Sequence, residues 1–271
     1  MKVLDGSTGE GGGQILRTAL FLSTLLGEPI RVERIRRGRP KPGLKPQHQG
    51  ILRMLSEICG STAEGATVGS TMVEYHPGRP RAGSYRFDVG TAGCLALFLQ
   101  TMLPVAIVSP GRFELEMIGG TDVRGGPTIE WLRRIYVPRI APLCKSIEVR
   151  LERHGFEPAG GGVVRLIVEP EPRAKELAAL RELIAERVQR DRIQQGTLRA
   201  FEGVSAAHDV LAEAQVAERQ IRGAEDAFMA RELPAPTIEK RYASATTPGT
   251  SVTLWVEDDG GIRLGADALG R

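Results

Sequence analysis

Asp5-Gly-Ser-Thr-Gly-Glu-Gly-Gly-Gly-Gln-Ile-Leu-Arg17 joins a short apolar strand at residues 2–4 to a helix predicted over residues 12–26. Backbone without a Cβ can approach a phosphate closely, and a helix N-terminus offers unpaired N–H groups to an anion. Glycine between a strand and a helix also serves as a plain tight turn, and the stretch matches neither a Walker A loop nor G-x-G-x-x-G. The polar set Glu10, Gln14 and Arg17 points beyond a turn. A helix starting near Glu10 would place them at i, i+4 and i+7 on one face. Ile15, Leu16, Ala19, Leu20 and Leu22 then form the apolar stripe that anchors the helix to a core.

Periodicity carries the same pattern outward. A strand at 30–37, a helix at 47–59 and strands at 62–64 and 71–76 complete a β-α-β-α-β-β order. The order restarts with a strand at 85–89, a helix at 94–105, a strand at 112–118, a helix at 128–143 and strands at 147–153 and 162–169. The predicted fold class is therefore α+β, with tandem βαβαββ repeats at about 1–80 and 81–171. Residues 172–259 read as a smaller inserted α+β domain, with helices at 174–195 and 206–231 and strands at 238–243 and 251–256. Residues 260–271 read as the start of a third, incomplete repeat.

The chain has 271 residues, 41% of them apolar, enough to fill a substantial core. Its 36 basic and 33 acidic residues nearly cancel, so any argument for a nucleic-acid partner must be local. Cys59, Cys94 and Cys144 are far apart and in no metal-like spacing, which reads as buried thiols of a reducing compartment. The N-terminus lacks a signal-peptide pattern, and the apolar run 92–108 is broken by Gln100, Thr101 and Pro104. The expectation is a cytoplasmic protein without a membrane partner.

Local charge is densest between Arg34 and Arg53, where Arg34, Arg36, Arg37, Arg39, Lys41, Lys45 and Arg53 occur without an acidic residue. Arginine forks match phosphate oxygens, and Pro40, Pro42 and Pro46 are expected to keep the loop extended and the charges apart. The bland alternative is a solvated basic loop. His48 would join the cluster from the start of the next helix. Residues 153–164 carry a triple glycine and form a second signal, for which the bland alternative is a plain hairpin with His154 as an ordinary strand histidine. Gly119-Gly-Thr-Asp122 is a tight turn, and Gln100 stands alone in an apolar helix.

Together, Glu-Gly-Gly-Gly-Gln-Ile-Leu-Arg (10–17), Ile-Arg-Arg-Gly-Arg-Pro-Lys-Pro-Gly-Leu (35–44), Gln-His (47–48), Leu-Gln-Thr-Met-Leu-Pro (99–104), Gly-Gly-Thr-Asp (119–122) and His-Gly-Phe-Glu-Pro-Ala-Gly-Gly-Gly-Val-Val (154–164) resemble the RNA 3′-terminal phosphate cyclases. The resemblance runs from residue 2 to about residue 170 and is only positional in 172–259. It implies ATP-dependent conversion of an RNA 3′-phosphate into a 2′,3′-cyclic phosphodiester through adenylylated enzyme and RNA, with Mg2+ or Mn2+. By the same resemblance Glu10 helps hold the metal. Gln100, Glu10, Gln14, Asp122 and Pro127 border the nucleotide, and Arg17, Arg36, Arg39 and His48 hold RNA phosphates.

The family's nucleophilic histidine is expected beyond Arg271, because His48, His76, His154 and His208 do not match its position. The 271-residue chain is therefore expected to be inactive by itself. The alternative is a non-catalytic cyclase-like RNA-binding protein acting in ribosome assembly. An enolpyruvyl transferase sharing the repeat unit is disfavoured by the 154–164 motif. Monomer and homodimer both remain open.

Overall fold

The structure, a computed structural model, describes residues 1–175, 177–188 and 196–270. Strand β1 (Lys2–Asp5) leads through the glycine-rich turn into helix α1 (Gln14–Leu26), which returns the chain to β2 (Ile30–Glu33), parallel to β1. Helix α2 (Pro46–Cys59) then precedes the antiparallel pair β3 (Thr62–Glu64) and β4 (Val73–His76). Because β4 inserts beside β2, the sheet order is β1-β2-β4-β3.

The second unit repeats this arrangement. Strand β5 (Gly83–Asp88), helix α3 (Leu95–Ile107) and β6 (Phe113–Gly119) form the parallel crossover. Strands β7 (Cys144–Arg153) and β8 (Gly162–Pro170) complete a sheet of order β5-β6-β8-β7. In β6 the period of two places Phe113, Leu115 and Met117 in the core, while Glu114 and Glu116 pair outside with Arg112 and Arg165. Helix α3 is apolar on nearly every side and is buried accordingly, with α1 packed against it and against α2. The tandem βαβαββ class expected from the sequence is the class observed.

Several boundaries differ from the sequence reading. The strand expected over 30–37 ends at Glu33, where Arg34 and Arg36 turn the chain with φ of 53° and 55°. The basic loop is folded rather than extended. Arg37 N donates to Arg34 O, Arg39 N donates to Arg36 O, and the Arg36 guanidinium closes the loop on the carbonyls of Lys41 (2.7 Å) and Gly43 (2.9 Å). The single helix expected over 128–143 breaks into α4 (Ile129–Trp131), a π-helical run Leu132–Tyr136, α5 (Val137–Ile140) and a final 3-10 turn. Pro138 has no N–H for the Arg134 carbonyl, which instead accepts from the Arg263 guanidinium at 3.3 Å.

The third sheet departs most. Residues 206–208, expected to begin a helix, end the long central strand β9 (Leu198–His208), and helix α7 spans only Val216–Met229. Alanine and glutamate in this region suggested helix, but Val204, Ala206 and Ala207 are buried beside β11 (Thr250–Asp258), so tertiary burial overrides propensity. Helix α6 covers Leu177–Arg187, and the remainder of the expected helix, 189–195, lies outside the described residues. Strand β10 (Thr237–Ala243) runs parallel to β9, β11 (Thr250–Asp258) antiparallel to it, and residues 263–269 form the edge strand β12 (Arg263–Leu269) beside β11.

The second unit is tied to this sheet by polar and apolar contacts. Thr128 N donates to Asp267 Oδ2 at 2.7 Å, and Ile135 packs with Val204, Ala206 and Trp255. Glu130, 2% exposed, receives Arg133 and Arg241 at 2.6 Å each and Arg134 at 3.4 Å. Burial pushes its carboxyl up, but the three guanidinium groups outweigh that and hold it below the usual carboxylate range.

Candidate functional site

Helix α1 starts at Gln14, not near Glu10, so the expected i, i+4, i+7 face does not include Glu10. Glu10 stands instead in the turn before the helix, where Gly9 and Gly11 adopt φ of 61° and 59°. Its carboxylate is 80% exposed and reaches across to the Arg39 guanidinium. Gly13 is the N-cap and supplies no side-chain acceptor, so the first-turn N–H groups of α1 have no side-chain cap. Gly13 is also required sterically. A Cβ there would stand 3.0 Å from His48 Cε1, closer still to Nε2, and 3.2 Å from Arg17 NH1.

His48 is therefore pressed against the start of α1 from the first turn of α2, and it is 1% exposed. Its Nδ1 accepts the Lys45 N–H at 3.0 Å, which puts the ring proton of the neutral form on Nε2. Nε2 is buried and has no partner among the described residues. Burial, with Arg17, Arg36 and Lys45 nearby, pushes the His48 pKa down to about 3, so the ring is a neutral hydrogen-bond donor near pH 7. Arg17, on the same side of Gly13, makes no ion pair among the described residues, and burial lowers its pKa. A desolvated guanidinium without a carboxylate and an orphaned neutral donor, side by side at a helix start, form a seat for an anion.

A second cluster adjoins it. Asp122 is fully buried at its side chain, and its Oδ2 accepts from His154 Nδ1 at 2.9 Å and from Thr121 Oγ1 at 2.6 Å. Asp122 Oδ1 and His154 Nε2 are buried without partners among the described residues. The backbone joins the same turns, with Thr121 N donating to Gly155 O at 2.9 Å and Gly155 N donating to Thr121 Oγ1 at 2.9 Å. His154 stacks on Phe156 with 5.5 Å between ring centroids. Cys94 links the clusters: its thiol donates to the Pro127 carbonyl at 3.5 Å, and it feels the charges of both Arg17 and Asp122.

A sequence profile describing RNA 3′-terminal phosphate cyclases matches residues 8–253 of the chain. The chain belongs to the RNA 3′-terminal phosphate cyclase family. Among curated relatives, the RNA 3′-terminal phosphate cyclase of Methanopyrus kandleri is 39% identical over 272 residues, covering 98% of this chain and 73% of that protein. That of Caldivirga maquilingensis is 39% identical over 276 residues, covering all of this chain and 73% of the relative. That of Pyrococcus furiosus is 37% identical over 271 residues and is covered over 74% of its length.

Among the residues singled out by the cyclase resemblance, Arg17, Arg39, His48 and Glu10 meet around the start of α1. Gln14 opens that helix and lines a neighbouring cleft of about 420 Å³ with Glu10 and Gly12. Arg36 is 6% exposed, and one of its terminal nitrogens is committed to the loop carbonyls. Pro127 and Asp122 lie in the second cluster, and Gln100 lies half-buried on α3. Sequence reasoning gave His154 no site role, yet it is the buried partner of Asp122. It also missed Gly13 as the residue that admits the His48 ring. The signal for both was available in the glycines, since each marks a place where another chain segment comes within contact distance.

Among the described residues no helix is long and apolar enough to cross a membrane. All three cysteines are free and buried.

Proposed function

We propose that this chain seats the 3′-phosphate end of an RNA for ATP-dependent cyclisation to a 2′,3′-cyclic phosphodiester. The observation that carries the reading is the unpaired, partly buried Arg17 beside the orphaned Nε2–H of His48 at the uncapped start of α1. A terminal phosphate placed there satisfies both groups and the helix N–H groups together. Arg39 then leaves Glu10 for a phosphate oxygen, and Arg36 holds the loop that carries Arg39.

A phosphate monoester lacks a good leaving group; ATP supplies one as AMP, and a divalent cation spreads the charge on the phosphates. Glu10 offers one exposed carboxylate, and among the described residues no group of three or more potential ligands gathers. That donor set fits Mg2+ or Mn2+ taking most of its ligands from phosphates and water, with Glu10 as the protein's contribution. Gln14, Gln100 and Pro127 border the nucleotide in this reading. Asp122 acts through the turn it fixes, because its carboxylate is turned inward to His154 and Thr121.

In this reading none of the four histidines attacks ATP. His48 holds its proton toward the anion seat, His154 is tied to Asp122, His208 bonds the Ala245 carbonyl, and His76 pairs with Glu74 on β4. Incubation with α-labelled ATP and Mg2+ is expected to leave no acid-labile AMP on this chain. An adduct mapped to any of its four histidines would overturn the assignment of their roles.

A further inference from the structure

A cleft of about 490 Å³ opens along another face of α2. It is lined by Pro46, the first residue of α2, and by Gln49, Arg53 and Ser56 of that helix, and extends to Ser61 and Val89. Gln49, Arg53 and Ser56 recur at helical spacing, so one wall is a single helix face. Its size lies within the range of about 300–1,000 Å³ typical of pockets for small organic groups.

Arg53 forms a platform in this cleft. Its guanidinium carbon lies 4.5 Å from the centroid of Phe87, which is itself buried and tilted against Phe98. One terminal nitrogen is fixed by the Asp88 carbonyl at 2.6 Å, while 53% of the side chain remains exposed. A guanidinium seated on an aromatic ring and open on its other side is a surface on which a nucleobase stacks. Gln49 donates its amide to the Ala66 carbonyl at 3.0 Å, which leaves its own carbonyl as an acceptor for a base edge.

The charge balance favours a base over a phosphate. Among the described residues Arg53 is the one cationic residue lining the cleft, and Glu57 stands 3.7 Å from its Nε. Along the chain the cleft residues are joined to those of the anion seat: Pro46 precedes His48 within the first turn of α2, and beyond Val89 the chain reaches Cys94, which feels the charge of Arg17.

We propose that this groove takes the nucleobase of the nucleotide preceding the RNA 3′ end, stacked on Arg53. The proposal rests on the reading that Arg17 and His48 hold the terminal phosphate. It makes Arg53 a substrate-binding residue that accepts any base, since every base offers a π face.

The test compares a trinucleotide 3′-phosphate with the same molecule made abasic at the penultimate position, by titration calorimetry on the full chain. The intact probe is expected to bind wild-type protein about tenfold more tightly. In Arg53→Ala that ratio falls to about one, and in Arg53→Lys, which keeps the charge and loses the plane, it falls similarly. Equal binding of the two probes to wild-type protein would overturn the proposal, as would a tenfold ratio that survives both substitutions. Because each ratio is taken within one protein, a reduced folded fraction weakens both probes by the same factor and leaves the ratio near ten, and a 3′-phosphate preference retained in each variant shows that the anion seat is folded. A 3′-hydroxyl trinucleotide separates the two readings. If it binds as tightly as the 3′-phosphate, the anion seat is refuted, and the base-dependent, Arg53-dependent ratio still decides the groove.

Discussion

Replacing Gly13 with alanine tests the anion seat through one methyl group. The backbone at Gly13 has φ −75° and ψ −9°, which alanine adopts freely, so the substitution is not a strain test. The added Cβ would instead stand 3.0 Å from His48 Cε1 and nearer to Nε2, and the ring must retreat by about an ångström or more to restore contact distance. His48 is 1% exposed and tethered through Nδ1 to the Lys45 N–H, so it cannot move without disturbing the start of α2.

Overpacking of this kind costs about 1–3 kcal/mol, offset by about 0.4–1 kcal/mol from the lower chain entropy of unfolded alanine. A net destabilisation of about 1 kcal/mol is expected in urea unfolding. Loss of the His48 hydrogen bond to a charged phosphate, worth about 1.5–3 kcal/mol, should weaken binding of a 3′-phosphorylated oligoribonucleotide about 10- to 100-fold. In the Gly13→Ala/His48→Ala double variant the clash is gone. The penalty from the added methyl then disappears relative to His48→Ala alone, while binding stays weak. Fluorescence anisotropy with a 3′-phosphate probe reads the binding. Gly13→Ala with wild-type stability and affinity would refute the packing of His48 against the start of α1.

Other consequences are open to measurement. Because the His48 pKa is down at about 3, its donor role should not titrate between pH 5 and 8; 3′-phosphate affinity should rise with pH as the phosphate loses its second proton near pH ~6. An affinity that falls as pH rises through 6.5 would indicate an imidazolium instead. The same depressed pKa makes the unfolded chain bind a proton that the folded chain refuses, so stability should fall as pH drops from 6.5 toward about 3, and less steeply in His48→Gln. Arg39→Ala should weaken RNA binding and lower the salt slope by about one counterion, since Arg39 is released from Glu10 only when a phosphate replaces it. An unchanged slope would count against that contact. Glu130→Gln leaves Arg133 and Arg241 facing each other across a buried amide and should cost about 3 kcal/mol in denaturant unfolding. Burial raises the thiols of Cys59 and Cys144 to about 12 and that of Cys94 to about 11, so thiol reagents at pH 7.5 should react with the native chain far more slowly than with the unfolded one.

The two βαβαββ units were legible because their strands and helices bury one face each, and burial on one face writes a period into the sequence. Phe113, Leu115 and Met117 against Glu114 and Glu116 illustrate it. Strand β9 was not legible for the converse reason. Its Val204-Ser-Ala-Ala-His208 end is buried on both faces, so it has no alternation, and its alanines mimic a helix. The anion seat was visible as residue types, but its geometry depends on φ values of Arg34 and Arg36 that no spacing rule conveys. The basic loop turns back on its own carbonyls, which brings Arg39 to Glu10 where an extended loop would have held them apart. The Asp122–His154 pair joins residues 32 apart in sequence and required the hairpin beyond β7 to be in place.

The most direct test of the central claim is the affinity of the 271-residue chain for one oligoribonucleotide ending in either a 3′-phosphate or a 3′-hydroxyl, measured with wild-type protein and with Arg17→Ala. The account predicts that the 3′-phosphate end binds wild-type protein at least tenfold more tightly, and that Arg17→Ala erases most of that preference. Equal affinity for the two ends, or a preference that survives the loss of Arg17, would contradict it.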